Sequence, residues 1–189
     1  MKKFVRTLFG ISLVLSFSII PIFAAGISGN IDYTYTYHGD IDRGYHDFYI
    51  PGTSYHGLCC DPKNTAGRGT ASVQKLSNTS NTARVAYYYG IQKGWMNGSA
   101  SGSFENMILF LRMVQYTIRP SDVEDMVDAE TLQDVRNGIN AVRNVNVPNS
   151  FEIYRCYPSD GTQEFTLWKI NPTGYVKVHK ISGNTSVTG

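Results

Sequence analysis

Phe104-Glu105-Asn106-Met107-Ile108-Leu109-Phe110-Leu111-Arg112-Met113-Val114-Gln115-Tyr116-Thr117-Ile118 is the stretch whose reading decides the fold. It is apolar, rich in Met and Leu, and stopped by Pro120, which cannot extend a helix. It reads as a buried helix. Ser121 reads as the N-cap of the next helix, over about 122–145, with Glu124 as its capping-box partner. There Leu132, Val135, Ile139 and Val142 recur at spacings of three and four, an amphipathic pattern that Gly138 weakens slightly.

The flanks have a different period. Ile31, Tyr33, Tyr35 and Tyr37 alternate with Asp32, Thr34 and Thr36, so residues 30–58 read as short strands separated at Gly39, Gly44 and Pro51-Gly52. Residues 62–82 are polar and read as a loop with at most one short strand around Val73. Val85-Ala86-Tyr87-Tyr88-Tyr89, ended by Gly90, fits a strand or a buried helix, and the glycines at 94, 98 and 102 mark a connection. After Pro148, Phe151–Tyr154 and Phe165–Trp168 flank a Pro158-Ser159-Asp160-Gly161 turn and read as a hairpin. The order β, two helices, β predicts an α+β fold: a β-rich, sandwich- or barrel-like domain with an inserted helical subdomain.

Residues 1–25 read as a signal peptide, with Lys2, Lys3 and Arg6 before an apolar core and Ala24-Ala25 at its end. That core is short for a membrane span, and no other segment is long enough for one in the mature form. The formal charge of +2 includes three basic residues of the leader, so nothing predicts a nucleic-acid surface. The 13 tyrosines and 18 glycines suit β-structure rich in turns. No metal-site spacing, phosphate loop or nucleotide motif is present, and no cofactor is expected. The last segment, Gly174–Ile181, alternates cleanly and reads as a strand that opens a further module over 173–189, so the main domain is expected over 26–172.

An exported chain usually carries no cysteine or enough to pair them all. This one has three: Cys59, Cys60 and Cys156. Adjacent cysteines rarely bond to each other, so one sulfur is left over, and an odd cysteine points to a reactive or specially bonded thiol. Two plainer readings stand beside that one. Cys59 fits a buried apolar thiol or a disulfide partner of Cys156, and Gln115 fits a polar residue at a helix packing seam.

Leu58-Cys59-Cys60-Asp61-Pro62, Tyr88-Tyr89-Gly90, Val114-Gln115-Tyr116-Thr117-Ile118 and Gly161-Thr162-Gln163-Glu164-Phe165-Thr166-Leu167-Trp168 occur in an order that resembles the thioester domains at the tips of Gram-positive surface adhesins and pili. Val114 stands where Thr is usual in that family, and Thr117 where Ala is usual. The resemblance covers about residues 30–170 and implies a cell-surface adhesin, secreted or held at the bacterial cell wall. It implies an internal thioester between Cys59 and Gln115, with Cys60 as the alternative thiol. The implied partner is a host surface protein, captured through a lysine amine, or a small amine. The resemblance also implies that Tyr88-Tyr89-Gly90 ends a strand, and it makes Gly174–Ile181 like the first strand of a SpaA-type pilin repeat.

The chemistry is self-consistent. A cysteine sulfur that attacks a glutamine carbonyl expels ammonia and leaves an activated acyl group, which an amine can take while the thiol leaves. Such a bond needs a dry, close-packed site. The reaction consumes the site, so the chain reads as a single-turnover binder and not an enzyme. Two other classes compete: a noncovalent β-rich module binding protein or glycan, and a cysteine hydrolase or transglutaminase using His56, three residues before Cys59.

Overall fold

The computed structural model describes residues 26–40, 43–96 and 103–170. The expected leader over 1–25 and the expected strand over Gly174–Ile181 lie outside the described residues. Six strands, β1 (Asn30–Gly39), β2 (Gly44–Tyr49), β3 (Tyr55–Leu58), β4 (Gly69–Lys75), β5 (Ile153–Pro158) and β6 (Phe165–Lys169), form a closed antiparallel barrel in the order β1-β2-β3-β6-β5-β4. The helices lie between β4 and β5 in the chain: α1 (Asn81–Val85), a π-helical continuation over Ala86–Gln92, α2 (Phe104–Ile118), α3 (Pro120–Glu124) and α4 (Ala129–Ala141). The expected α+β fold with inserted helices is therefore what the chain adopts.

Period two fills the barrel. Tyr33, Phe48 and Phe165 meet inside it, with the Phe48 and Phe165 rings stacked at 4.4 Å. Every residue from Phe165 to Trp168 is buried, because β6 faces the barrel interior on one side and the helices on the other. Trp168 reaches out to Phe110 of α2, with ring centroids 5.9 Å apart. Burying one such aromatic, ~200 Å² at ~25 cal/mol per Å², is worth about 5 kcal/mol, so this contact is a main attachment of the helices to the barrel. Gly90 sits at the same junction, where a Cβ would meet the Phe110 ring at 3.2 Å.

Helix α2 starts and stops for local reasons. The Ser103 side chain accepts from the Asn106 N–H at its N-terminus, and Pro120 follows its end. Pro120 is also the first residue of α3, where its missing N–H costs nothing. The Ser121 cap expected for the next helix is not formed. Ser121 lies inside α3, and α4 is capped instead by Asp128, which accepts from the Thr131 N–H at 2.7 Å. Glu124 serves elsewhere, accepting from Tyr116 and Arg136. Gly138 allows α4 to close on α2, since a Cβ there would lie 2.3 Å from the Met113 sulfur.

The polar stretch 62–82 contains the one strand expected around Val73, the seven-residue β4, which pairs with both β1 and β5. One further reading changes. Tyr88-Tyr89-Gly90 belongs to the π-helical turn and does not end a strand. The β-propensity of three tyrosines loses to the Ser80 cap, which accepts from the Ala83 N–H, and to the hydrogen bond between Thr82 and Thr117.

Candidate functional site

The segment after β3 stays extended past Leu58. Cys59 forms an isolated bridge with Phe165, and the Cys60 N–H donates to the Glu164 carbonyl at 3.0 Å. Extended backbone sends successive side chains to opposite faces, so the two cysteines part. Cys59 contacts Gln115 of α2, whereas Cys60 is wholly buried, in the field of Cys59, Arg155, Glu164 and Cys156. All three cysteines are free thiols, so the disulfide between Cys59 and Cys156 is not formed. Cys156 is a buried residue of β5.

Gln115, in the last turn of α2, lies against Cys59. Its Nε2 is 3.3 Å from the Cys59 sulfur, and the two residues are 2% and 3% exposed. Arg112, three residues earlier on the same helix, donates from Nη1 to Gln115 Oε1 at 2.8 Å. Arginine only donates, so this bond fixes which end of the Gln115 amide carries oxygen. The nitrogen is left facing the sulfur.

The turn that carries Cys59 is held from several sides. The Cys59 thiol donates to the Asp61 carbonyl at 3.2 Å. That carbonyl and the Asn64 carbonyl also accept from Gln163 Nε2, at 2.7 and 2.9 Å. The buried Asp61 carboxylate accepts from Asn64 Nδ2 at 2.6 Å and lies 3.5 Å from Arg119. Gln163, matched in sequence only as part of a late hairpin, thus fastens the cysteine turn to the barrel.

Burial dominates the thiol's acidity. It pushes the Cys59 pKa up to about 12, against the lowering effects of the Gln115 and Asp61 hydrogen bonds and of the Arg112 charge. Near neutral pH Cys59 therefore stays a thiol. His56 does not activate it. Its Nδ1 is 3.0 Å from both Asp47 carboxylate oxygens, and its ring stacks on Tyr49. The hydrogen bonds of the Cys59 sulfur go to Gln115 and Asp61 instead.

A cleft of about 310 Å³ opens over the pair, and its lining includes Cys59, Arg112, Gln115 and Gln163 together with Tyr35, Tyr45 and His46. Among the described residues no group of three or more His, Cys, Asp or Glu is placed to hold a metal ion, and no helix is long and apolar enough to cross a membrane. Arg112 and His46 were not singled out in the sequence. The first had a readable signal, its i,i+3 spacing from Gln115 on one helix face.

No protein-family model matches the chain, and no curated protein does. Among solved structures it is similar to the N-terminal thioester domain of the fibronectin-binding protein SfbI from Streptococcus pyogenes, at 11% identity and a TM-score of 0.44 over 72% of this chain and 91% of that one. It is similar to the N-terminal domain of the S. pyogenes pilus tip adhesin Cpa, at 15% identity and a TM-score of 0.42 over 72% and 91%. It is also similar to the N-terminal thioester domain of a surface protein from Clostridium perfringens, at 13% identity and a TM-score of 0.44 over 74% and 98%.

Proposed function

We propose that this is a cell-surface adhesin domain in which Cys59 and Gln115 condense to an internal thioester, and that the thioester captures a lysine amine on a host surface protein, or a small amine. The observation that carries the reading is the 3.3 Å contact between two nearly inaccessible side chains 56 positions apart. A buried glutamine beside a buried thiol, with no histidine among the described residues bonded to either, is poorly suited to hydrolysis and well suited to acyl transfer within the chain.

The step follows from the contacts. The Cys59 sulfur attacks the Gln115 amide carbon, and the C–S bond forms. The developing oxyanion stays on Arg112 Nη1, which already donates to that oxygen. The thiol proton passes to Nε2, the atom facing the sulfur, and the C–N bond breaks with loss of ammonia. No cofactor is needed, because nucleophile and acyl donor both belong to the chain. In capture, an amine attacks the same carbon, and the sulfur leaves and is reprotonated.

Intact-mass measurement of the wild type without added thiol tests the reading. The expected mass is that of the chain less one ammonia, and Cys59→Ala and Gln115→Ala should each restore the full mass. A wild type at full mass would sink the thioester and favour a noncovalent module. Arg112→Met should fold but form the bond about a hundredfold more slowly, the effect of deleting one oxyanion donor. The measurement is the time course of ammonia loss after refolding, and a wild-type rate would remove Arg112 from the mechanism.

A further inference from the structure

The cleft holds one group that thioester formation does not use. His46 of β2 is half-buried and lines the same cleft as Cys59 and Gln115, on the strand that pairs with β3 just before Cys59. Its ring is held by aromatic neighbours: Tyr35 edge-on at 4.7 Å, Tyr37 at 5.2 Å and Phe48 at 6.0 Å. Among the described residues no side chain hydrogen-bonds its ring nitrogens. The lining contains no carboxylate, so the imidazole is its one base of ordinary strength.

Amine capture needs such a base. An amine that attacks a thioester carbon gives a tetrahedral adduct whose nitrogen carries one proton too many. The adduct reverts unless that proton leaves. We infer that His46 is the proton acceptor for the attacking amine in this cleft. The inference rests on the proposed thioester and adds a role in its consumption. As the N–C bond forms, the imidazole takes one N–H proton. The C–S bond then breaks, and the proton passes on to the Cys59 sulfur. The products are an amide on Gln115 and a free thiol.

The surroundings favour this role. Burial lowers the His46 pKa below the ordinary 6.5, so the ring is neutral and able to accept a proton near neutral pH. The titratable groups near it are Tyr35 and Tyr37 from β1, with the Arg68 guanidinium over the Tyr35 ring at 4.5 Å, and Tyr45, Arg112 and Cys59 in the cleft lining. These add cationic and neutral groups and no anion. Asp47, the next residue on β2, is paired with His56.

The test uses the whole chain, two probes and His46→Gln. Ammonia loss should proceed as in the wild type. Attachment of methylamine near neutral pH should fall about a hundredfold. Exchange with the thiolate of 2-mercaptoethanol should keep its wild-type rate, because a thiolate brings no proton to remove. In the wild type the amine rate should also lose activity as the pH falls through the lowered histidine pKa, a limb missing from the variant. Methylamine capture at the wild-type rate, or equal slowing of both probes, would overturn the role. Should the glutamine variant not fold, His46→Phe keeps a ring among the three aromatics and gives the same two rates. A wild type that never loses ammonia overturns the thioester itself, and that result appears before any amine is added.

Discussion

Excess methylamine should attach once per chain, as an amide on Gln115, and unmask one thiol at Cys59. The acyl carbon of the proposed bond belongs to the glutamine, so the adduct stays there and the sulfur departs. Cys59→Ala and Gln115→Ala should each abolish attachment altogether. Cys60→Ala should not, because the sulfur in contact with Gln115 is that of Cys59. A lysine amine reacts only when neutral, and its ordinary pKa is near 10.4. Attachment should therefore quicken as the pH rises towards that value. Peptide mapping after incubation is the measurement. An adduct on Cys59, or many product molecules per chain, would contradict the mechanism and return the cysteine-enzyme reading to consideration. Loss of attachment in Cys60→Ala alone would move the bond to the neighbouring sulfur.

Gly57→Val should prevent folding, or lower stability by more than about 4 kcal/mol, the range of severe backbone and core clashes. Gly57 lies where β3 passes β6. A Cβ built there would stand 1.7 Å from the Thr166 carbonyl oxygen and 2.9 Å from the Leu167 Cα. Both are backbone atoms inside the ladder, so no rotamer change relieves the contact. The same seam positions Cys59 two residues later, and any variant that survives should form the proposed bond poorly. Thermal unfolding followed by circular dichroism measures the first effect. A midpoint within a few degrees of the wild type would show that the seam can yield.

The parts of this fold that were legible in the sequence are those with a clean period. The alternation from Ile31 to Tyr37 gave β1, and the apolar run from Phe104 to Ile118 gave α2 with the bounds the structure has. Gln115 was picked out by the resemblance of Val114-Gln115-Tyr116-Thr117-Ile118 to a family motif, not by the run itself. The misreadings have local causes. Val85–Tyr89, read as a strand or a buried helix, takes the helical alternative, and the strand end that the resemblance implied at Tyr88-Tyr89-Gly90 is lost to the Ser80 cap five residues before Val85. Glu124 looked like a capping partner because a serine stands three residues before it. Its carboxylate instead answers Arg136 across a turn, a choice that depends on where α4 lies. His46 was invisible for a related reason. Its strand lies beside the Cys59 segment through the β2–β3 ladder, where Asp47 pairs with Leu58, but the alternation alone does not give that register or the approach of α2.

Strand β1 is divided between two neighbours. Residues Asn30–Tyr33 pair with β4, whereas Thr34–Gly39 pair with β2. The ladder on the β4 side stops at Tyr33 and the β3 ladder of β2 begins at Asp47, so Tyr37–Gly39 and Gly44–His46 continue as a two-stranded ribbon. Arg68 reaches across the gap, donating to Thr34 Oγ1 at 3.0 Å, and Tyr45 leans on Phe104 of α2. His46, which lines the cleft, is carried on this ribbon, and Tyr35 lies at its base. Regions with fewer backbone ties open locally at lower free energy than the global transition. Amide hydrogens of the ribbon should therefore exchange sooner than those of β5 and β6. The cleft can thus widen for a protein-borne side chain while the barrel that holds Cys59 against Gln115 stays shut.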